Sequence, residues 1–437
     1  MVITAFPDQF RWGAATASHQ YEGFTKNQWS RWEAQGRIKS GDSSGAACNW
    51  WEIAESDFQR AKDLHLNSLR ISLEWSRIEP IQGQWDDTAL LRYRTMLETL
   101  RSLQIEPLVT LHHFTHPIWF EDMGGFLSPK AAEYFERYVT KVVETLGDLC
   151  NFWITINEPN VYAVFGYLIG DFPPGRQGDI RSTLLAQAGM ARAHAAAYQT
   201  IHKLQPNARV SWAQHINIFD PANQSSPLDR WSSRQQDLSF NGFFLRAVET
   251  GSAEWYIRPF VGDISMVKQT ADYIGLNIYA RNIVRFNLSS AGELFGKREV
   301  PDGAPQGDPG VSANYGEIYP QGILRAAQRV ARFQLPIYIT ENGVADREDR
   351  LRPWVIAQAV SAMHDALKEG IDLRGYYHWS LVDNFEWAEG WTMRFGLYAL
   401  DTETQERTLR PSGALYAEIA QMNGFDEKIH SIARHKV

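Results

Sequence analysis

Residues 106–113 read Glu-Pro-Leu-Val-Thr-Leu-His-His, and residues 151–157 read Asn-Phe-Trp-Ile-Thr-Ile-Asn. Both runs are nearly continuous in apolar character instead of alternating, as expected of strands covered on both faces. Between them Phe135, Tyr138, Val142, Leu146 and Leu149 recur every three or four residues, which predicts an amphipathic helix. Strand, helix, strand in this order is a parallel β-α-β unit.

The same alternation extends in both directions. Further strands are predicted at 10–16, 67–73, 208–214, 272–279, 336–341 and 373–381. Helices are predicted at 54–66, 183–204, 234–250, 321–333 and 412–422. Two more are marked by Leu90, Tyr93, Leu97 and Leu100 behind a cap at Asp87, and by Ile356, Val360, Met363 and Leu367 between Pro353 and Gly370. Strand then helix, repeated eight times, is the pattern of an α/β protein built as a single (β/α)8 TIM barrel. An open doubly wound sheet would also alternate, but no Gly-x-Gly-x-x-Gly follows the first strand, which removes its dinucleotide-binding version.

At roughly 150 residues per domain, the 437 residues would make about three domains. No Pro/Gly/Ser linker divides the chain, so residues 1–437 are read as one barrel domain. The excess over a minimal barrel of about 250 residues sits in three strand-to-helix connections, 17–53, 158–182 and 281–320. All three belong on the catalytic face. The centre of the last, about 288–312, reads as an irregular surface insertion.

Composition narrows the function. Lys plus Arg is 43 and Asp plus Glu is 51, a formal charge of −8, and the charges are interspersed. That argues against a nucleic-acid binder and against a polybasic membrane anchor. The first residues lack a basic region followed by an apolar stretch, no window approaches a membrane span, and the C-terminal Arg-His-Lys-Val is no known anchor. A cytoplasmic protein is the expectation. Cys48 and Cys150 match no metal knuckle and read as reduced thiols. The 16 tryptophans are roughly three times ordinary usage. Trp12, Trp75, Trp153 and Trp212 lie in or beside strands and read as packing.

Barrel active sites lie at the C-terminal ends of the strands. Those ends carry Arg70, His112-His113, Asn157-Glu158-Pro159, Asn277-Ile278-Tyr279, Thr340-Glu341-Asn342-Gly343 and Trp379-Ser380. Two carboxylates across a ring of polar and aromatic groups are what glycoside hydrolysis needs. A metal-dependent hydrolase is the rival, given His112, His113 and His116. Neighbouring strand residues point to opposite faces, however, so His112 and His113 cannot share one ion. Neither a metal nor another cofactor is expected.

Thr-Ile-Asn-Glu-Pro at 155–159 and Tyr-Ile-Thr-Glu-Asn-Gly at 338–343 resemble the two signatures of glycoside hydrolase family 1, the β-glucosidase-type enzymes. Residues 10–23, from Phe-Arg-Trp-Gly to Tyr-Glu-Gly, resemble the family's N-terminal signature. Trp-Ser-Leu-Val-Asp-Asn-Phe-Glu-Trp at 379–387 resembles its last. The resemblance runs in order from about Phe6 to about Met422.

The resemblance implies a retaining β-glycosidase acting on a small-molecule β-glycoside, with glucose the expected sugar and galactose or fucose as alternatives. Glu341 would be the nucleophile and Glu158 the acid/base. Arg70 and Tyr279 would favour ionised Glu341, while Glu158 would stay protonated for the first step. Asn157 would donate to the sugar 2-OH. Gln20, His113 and Glu386 would bind hydroxyls, with Asn277 among the substrate-binding residues. Trp379 would form the floor under the ring, and Trp387 would present its indole N–H. Trp119 is a further candidate for the pocket wall.

Relatives acting on 6-phosphorylated sugars replace Phe-Glu-Trp at 385–387 by Ser, Lys and Tyr types. Glu386 here implies an unphosphorylated substrate. Relatives that cleave glucosinolates carry Gln in place of the acid/base, so Glu158 implies an ordinary O-glycosidase. Many relatives have a Trp where this chain has Gly316, and Tyr315 would stand in for it. A transglycosylase using the same residues, or a sugar-binding barrel without catalysis, are the alternative readings.

Overall fold

A computed structural model describes residues 3–310 and 315–435 of the protein. Eight parallel strands close into a barrel: β1 (Arg11–Ala15), β2 (Ser68–Ser72), β3 (Glu106–His112), β4 (Phe152–Asn157), β5 (Arg209–His215), β6 (Ile274–Asn277), β7 (Ile337–Asn342) and β8 (Leu373–Trp379). They follow chain order around the barrel, and β8 pairs with β1 to close it. Every predicted strand corresponds to one of these. β2 to β4, β7 and most of β8 are buried or nearly so along their length, which is why their sequences do not alternate.

The main helices follow as Trp50–Asp63, Asp87–Ser102, Ala131–Leu146, Ile180–Leu204, Pro227–Thr250, Gly322–Val330, Arg352–Lys368 and Pro411–Met422. The helix at 87–102 is capped by Asp86, whose side chain accepts from the backbone N–H groups of Thr88 and Ala89. The sequence placed that cap one residue later, at Asp87. Trp12, Trp75, Trp153 and Trp212 are fully buried, as expected of packing residues. Their indole N–H groups donate to Asn423, Glu79, Gln205 and Gln214. Cys48 and Cys150 are buried free thiols.

The connection 281–320 is more ordered than its sequence reads. Residues Ala280–Phe286 and Gly296–Glu299 pair antiparallel, and Ile218–Pro221 and Glu317–Ile318 join them in a four-stranded sheet. The segment 296–299 is Gly-Lys-Arg-Glu, with no apolar pattern, and it is held by backbone pairing. Residues 311–314 lie outside the described part of this connection. The connection 158–182 is also built of helix, at Pro159–Ala163 and Val164–Ile169. No helix among the described residues is long and apolar enough to cross a membrane.

Candidate active site

Strand register delivers the polar side chains to one end of the barrel. Glu341 lies opposite Asn277, and Asn277 lies opposite His215 on the next strand. Arg70, on β2, is wholly buried and reaches across the barrel interior. It donates to Thr110 Oγ1, to the carbonyl of Thr340, to Glu341 Oε1 at 2.5 Å and to Asn157 Oδ1 at 2.7 Å. Tyr279 donates its phenolic hydrogen to the other oxygen of Glu341 at 2.7 Å.

Glu158 stands at the end of β4 with φ at 42°, a left-handed conformation uncommon for any residue but glycine. Such backbone persists only when its surroundings hold it. Here Asn277 Nδ2 donates to Glu158 Oε1 at 2.7 Å, and His215 Nδ1 lies 3.0 Å from the same oxygen. Asn277 Nδ2 also donates to Asn157 Oδ1 at 3.0 Å, and Asn277 Oδ1 accepts from Thr340. Asn157 in turn donates from Nδ2 to His113 Nε2 at 3.1 Å. One continuous network therefore joins both carboxylates.

These groups open onto a pocket of about 460 Å³. Of the residues singled out in the sequence, Glu158, Glu341, Tyr279, His113, Trp379, Glu386 and Trp387 line it. Arg70, Asn157, Asn277 and Gln20 stand behind this wall, each fully buried. Gln20 Nε2 donates to Asn384 Oδ1, to the carbonyl of Phe385 and to Glu386 Oε2, while its buried Oε1 has no partner among the described residues. The His113 ring stacks between those of Trp379 and Trp387, 5.9 Å from each.

Tyr315 borders the pocket and donates to Glu386 Oε1 at 3.3 Å, placing an aromatic ring beside Gly316. Trp119 is not on the pocket wall. It packs against Trp75 and Tyr134 and donates to the carbonyl of Glu79, because its short helix turns it toward the barrel's outer layer. His112 also faces away from the pocket, with Nε2 3.3 Å from His116 Nδ1, while His116 Nε2 lies 2.8 Å from Glu121. No group of three or more His, Cys, Asp or Glu among the described residues is arranged to hold a metal ion.

Burial is the largest influence on the carboxyls. It pushes Glu341 up to about 7, opposed by Arg70, reinforced by the charge of Glu158 and opposed again by Tyr279. The contacts that favour ionised Glu341 are those expected from sequence, but burial outweighs them. Burial also pushes Glu386 up to about 8, with the charge of Glu341 adding to it. That shift favours the protonated form of Glu386 at neutral pH, able to donate as well as accept a hydrogen bond. Lys39, on the pocket wall, is tied to Glu389 at 2.6 Å and Asp171 at 3.0 Å.

The sequence reading missed His215, Asn217, Phe240, Asn282 and Arg298, all on the pocket wall. His215 is one residue past the predicted end of its strand. Asn217 lies in the link between β5 and Ile218–Pro221, and Phe240, Asn282 and Arg298 come from the helix Pro227–Thr250 and the outer sheet, which tertiary packing brings over the barrel mouth.

Residues 2–425 match the model of glycosyl hydrolase family 1. The chain belongs to that family. It is therefore an enzyme, an O-glycosyl hydrolase. A curated family 1 relative, β-glucosidase A of Thermotoga maritima, is 30% identical over 98% of this chain and 100% of its own length. A β-galactosidase of Pyrococcus woesei is 29% identical over 97% of this chain and 98% of its own. The solved β-glycosidase from Pyrococcus horikoshii superposes with a TM-score of 0.89 at 35% identity, covering 98% of both chains. Family 1 thus joins the barrel to glycoside hydrolysis.

Proposed function

We propose that this family 1 protein, one barrel domain over residues 1–437, is a retaining β-glycosidase. It removes terminal non-reducing β-D-glucosyl residues, and β-D-galactosyl or β-D-fucosyl residues by the same chemistry, from unphosphorylated oligosaccharides or aryl and alkyl glycosides. The observation that carries this reading is the differential support of the two carboxylates. Glu341 is gripped by a cation and a phenol, whereas Glu158 meets an amide and an imidazole.

Glu341 attacks the anomeric carbon while Glu158 protonates the departing oxygen, leaving a glycosyl-enzyme ester on Glu341. Glu158, now a carboxylate, removes a proton from water as the water displaces Glu341. Two inversions give net retention. A sugar alcohol in the outer pocket would capture the same intermediate, so transglycosylation draws on the same residues. In this reading Asn157 donates its second amide hydrogen to the sugar 2-OH. The unpartnered acceptor of Gln20 and the His113 ring are available to further hydroxyls, and Trp379 with Trp387 supplies the flat wall.

The test is Glu341→Ala on an aryl β-glucoside. Hydrolysis should be lost, and added azide should restore turnover with an α-glycosyl azide as product. Full activity of the variant without azide refutes the assignment. A panel of nitrophenyl glycosides, compared by kcat/KM, decides the sugar.

A further inference from the structure

Arg298 lies on the pocket wall, carried by the outer strand Gly296–Glu299. Its Nε donates to Gln236 Oε1 at 3.1 Å. Gln236 is itself buried and held by the carbonyls of Glu293 and Gly296. The guanidinium sits 5.4 Å from the ring centre of Phe219. It makes no ion pair among the described residues, and both Nη groups are without a protein acceptor there. Several other cations of the pocket rim and outer sheet are paired. Lys39 has two carboxylates, Arg281 is bound to Glu317 and Arg325 to Asp220. Glu299, next along the strand, is engaged by Arg285 at 3.0 and 3.1 Å.

The position relative to the chemistry follows from a row of rings. His215 meets Glu158, Phe240 packs on His215 at 5.7 Å, Phe219 packs on Phe240 at 6.1 Å, and Arg298 lies over Phe219. Arg298 is thus on the side of the proton donor, where the leaving group departs. The pocket wall also carries Phe165, Ile169 and Val300. The Arg298 side chain is exposed on this strand, so its free Nη groups are open to a ligand entering the pocket. An anion entering the pocket would find this guanidinium free to pair with it.

We infer that Arg298 selects leaving groups that combine an apolar or aromatic body with a carboxylate, a glycoside of a phenolic acid being the simplest example. The free Nη pair matches a carboxylate's two oxygens, and the apolar wall suits the body that carries it. The inference rests on the β-glycosidase reading and names the leaving group for that same site.

The test compares kcat/KM for the β-glucoside of 3-hydroxybenzoate and for its methyl ester. The wild-type protein should prefer the acid, and the preference should fall as salt is added. Arg298→Gln should lower the acid-to-ester ratio about tenfold, in keeping with a hydrogen bond to a charged group. Arg298→Lys should retain part of it. A ratio near one in the wild-type protein, or one unchanged by Arg298→Gln, overturns the inference while leaving the glycosidase reading intact. No turnover of either glucoside overturns both.

Discussion

Arg70, with none of its surface exposed, donates to Glu341 at 2.5 Å from three strands away around the barrel. A buried charge must be compensated, and removing one partner of such a pair costs about 3–5 kcal/mol. Arg70 is also the strongest influence pulling the Glu341 carboxyl down against burial. Arg70→Met should therefore reduce stability by that amount and move the Glu341 pKa further up. The acid limb of kcat/KM against pH would shift to higher pH. Arg70→Lys, which keeps a charge but loses the guanidinium's geometry, should shift it less. A pH–rate profile with an unmoved acid limb in both variants would refute this role for Arg70.

Glu158 is held by Asn277 and His215, with no Arg or Lys paired to it among the described residues. A proton donor matters most when the leaving group is a poor one. Glu158→Gln should slow hydrolysis of alkyl or unactivated phenyl glucosides by roughly 10²–10⁴. It should slow the first step on a dinitrophenyl glucoside far less. A Brønsted plot of rate against leaving-group pKa should steepen in the variant, and an unchanged slope would remove Glu158 from the acid role.

Glu386 ties stability to pH. Its carboxyl is ordinarily near 4.5 and is raised to about 8 in the folded protein. Below about 4.5 both states hold the proton and the native environment costs nothing. Between 4.5 and 8 the unfolded chain gives up the proton while the folded one keeps it, so this contribution is lost as pH rises through the window. Glu341 and Glu22, each raised to about 7, act in the same direction. Glu386→Gln removes the ionisation. The variant should gain stability relative to wild type at pH 8 and lose that advantage at pH 5, while sugar binding weakens. Urea midpoints at the two pH values decide the matter, and an equal difference at both counts against the mechanism.

The barrel and the two carboxylates were readable in the sequence because each strand is a short apolar run and each carboxyl follows one directly. Arg70 was readable for the same reason, as a charge inside an otherwise apolar strand. Arg298 and Asn282 were not, because they ride on strands defined by backbone pairing, and 296–299 carries no apolar residue but a glycine. Gln20 was named from the sequence as a hydroxyl-binding residue, and its place behind Glu386 depends on the 379–387 turn folding back over it. The pKa of Glu341 was out of reach for a related reason. Its partners can be named from local motifs, but the burial that outweighs them belongs to the whole barrel.

Gly343, immediately after β7, controls how closely that strand's end approaches Trp379. A Cβ at this position would lie 2.0 Å from the Trp379 carbonyl oxygen and 3.1 Å from its carbon. The obstacle is backbone, so no side-chain rotation relieves it, and β7 and β8 would have to separate where Asn342 pairs with His378. Overpacking of this kind costs about 1–3 kcal/mol. The displacement would fall on Glu341, two residues earlier, and on Trp379 under the sugar. Gly343→Ala should lower both Tm and kcat/KM, with an activity loss larger than any unfolded fraction at the assay temperature explains. A variant with wild-type Tm and turnover would show that the two strand ends have room the geometry denies them.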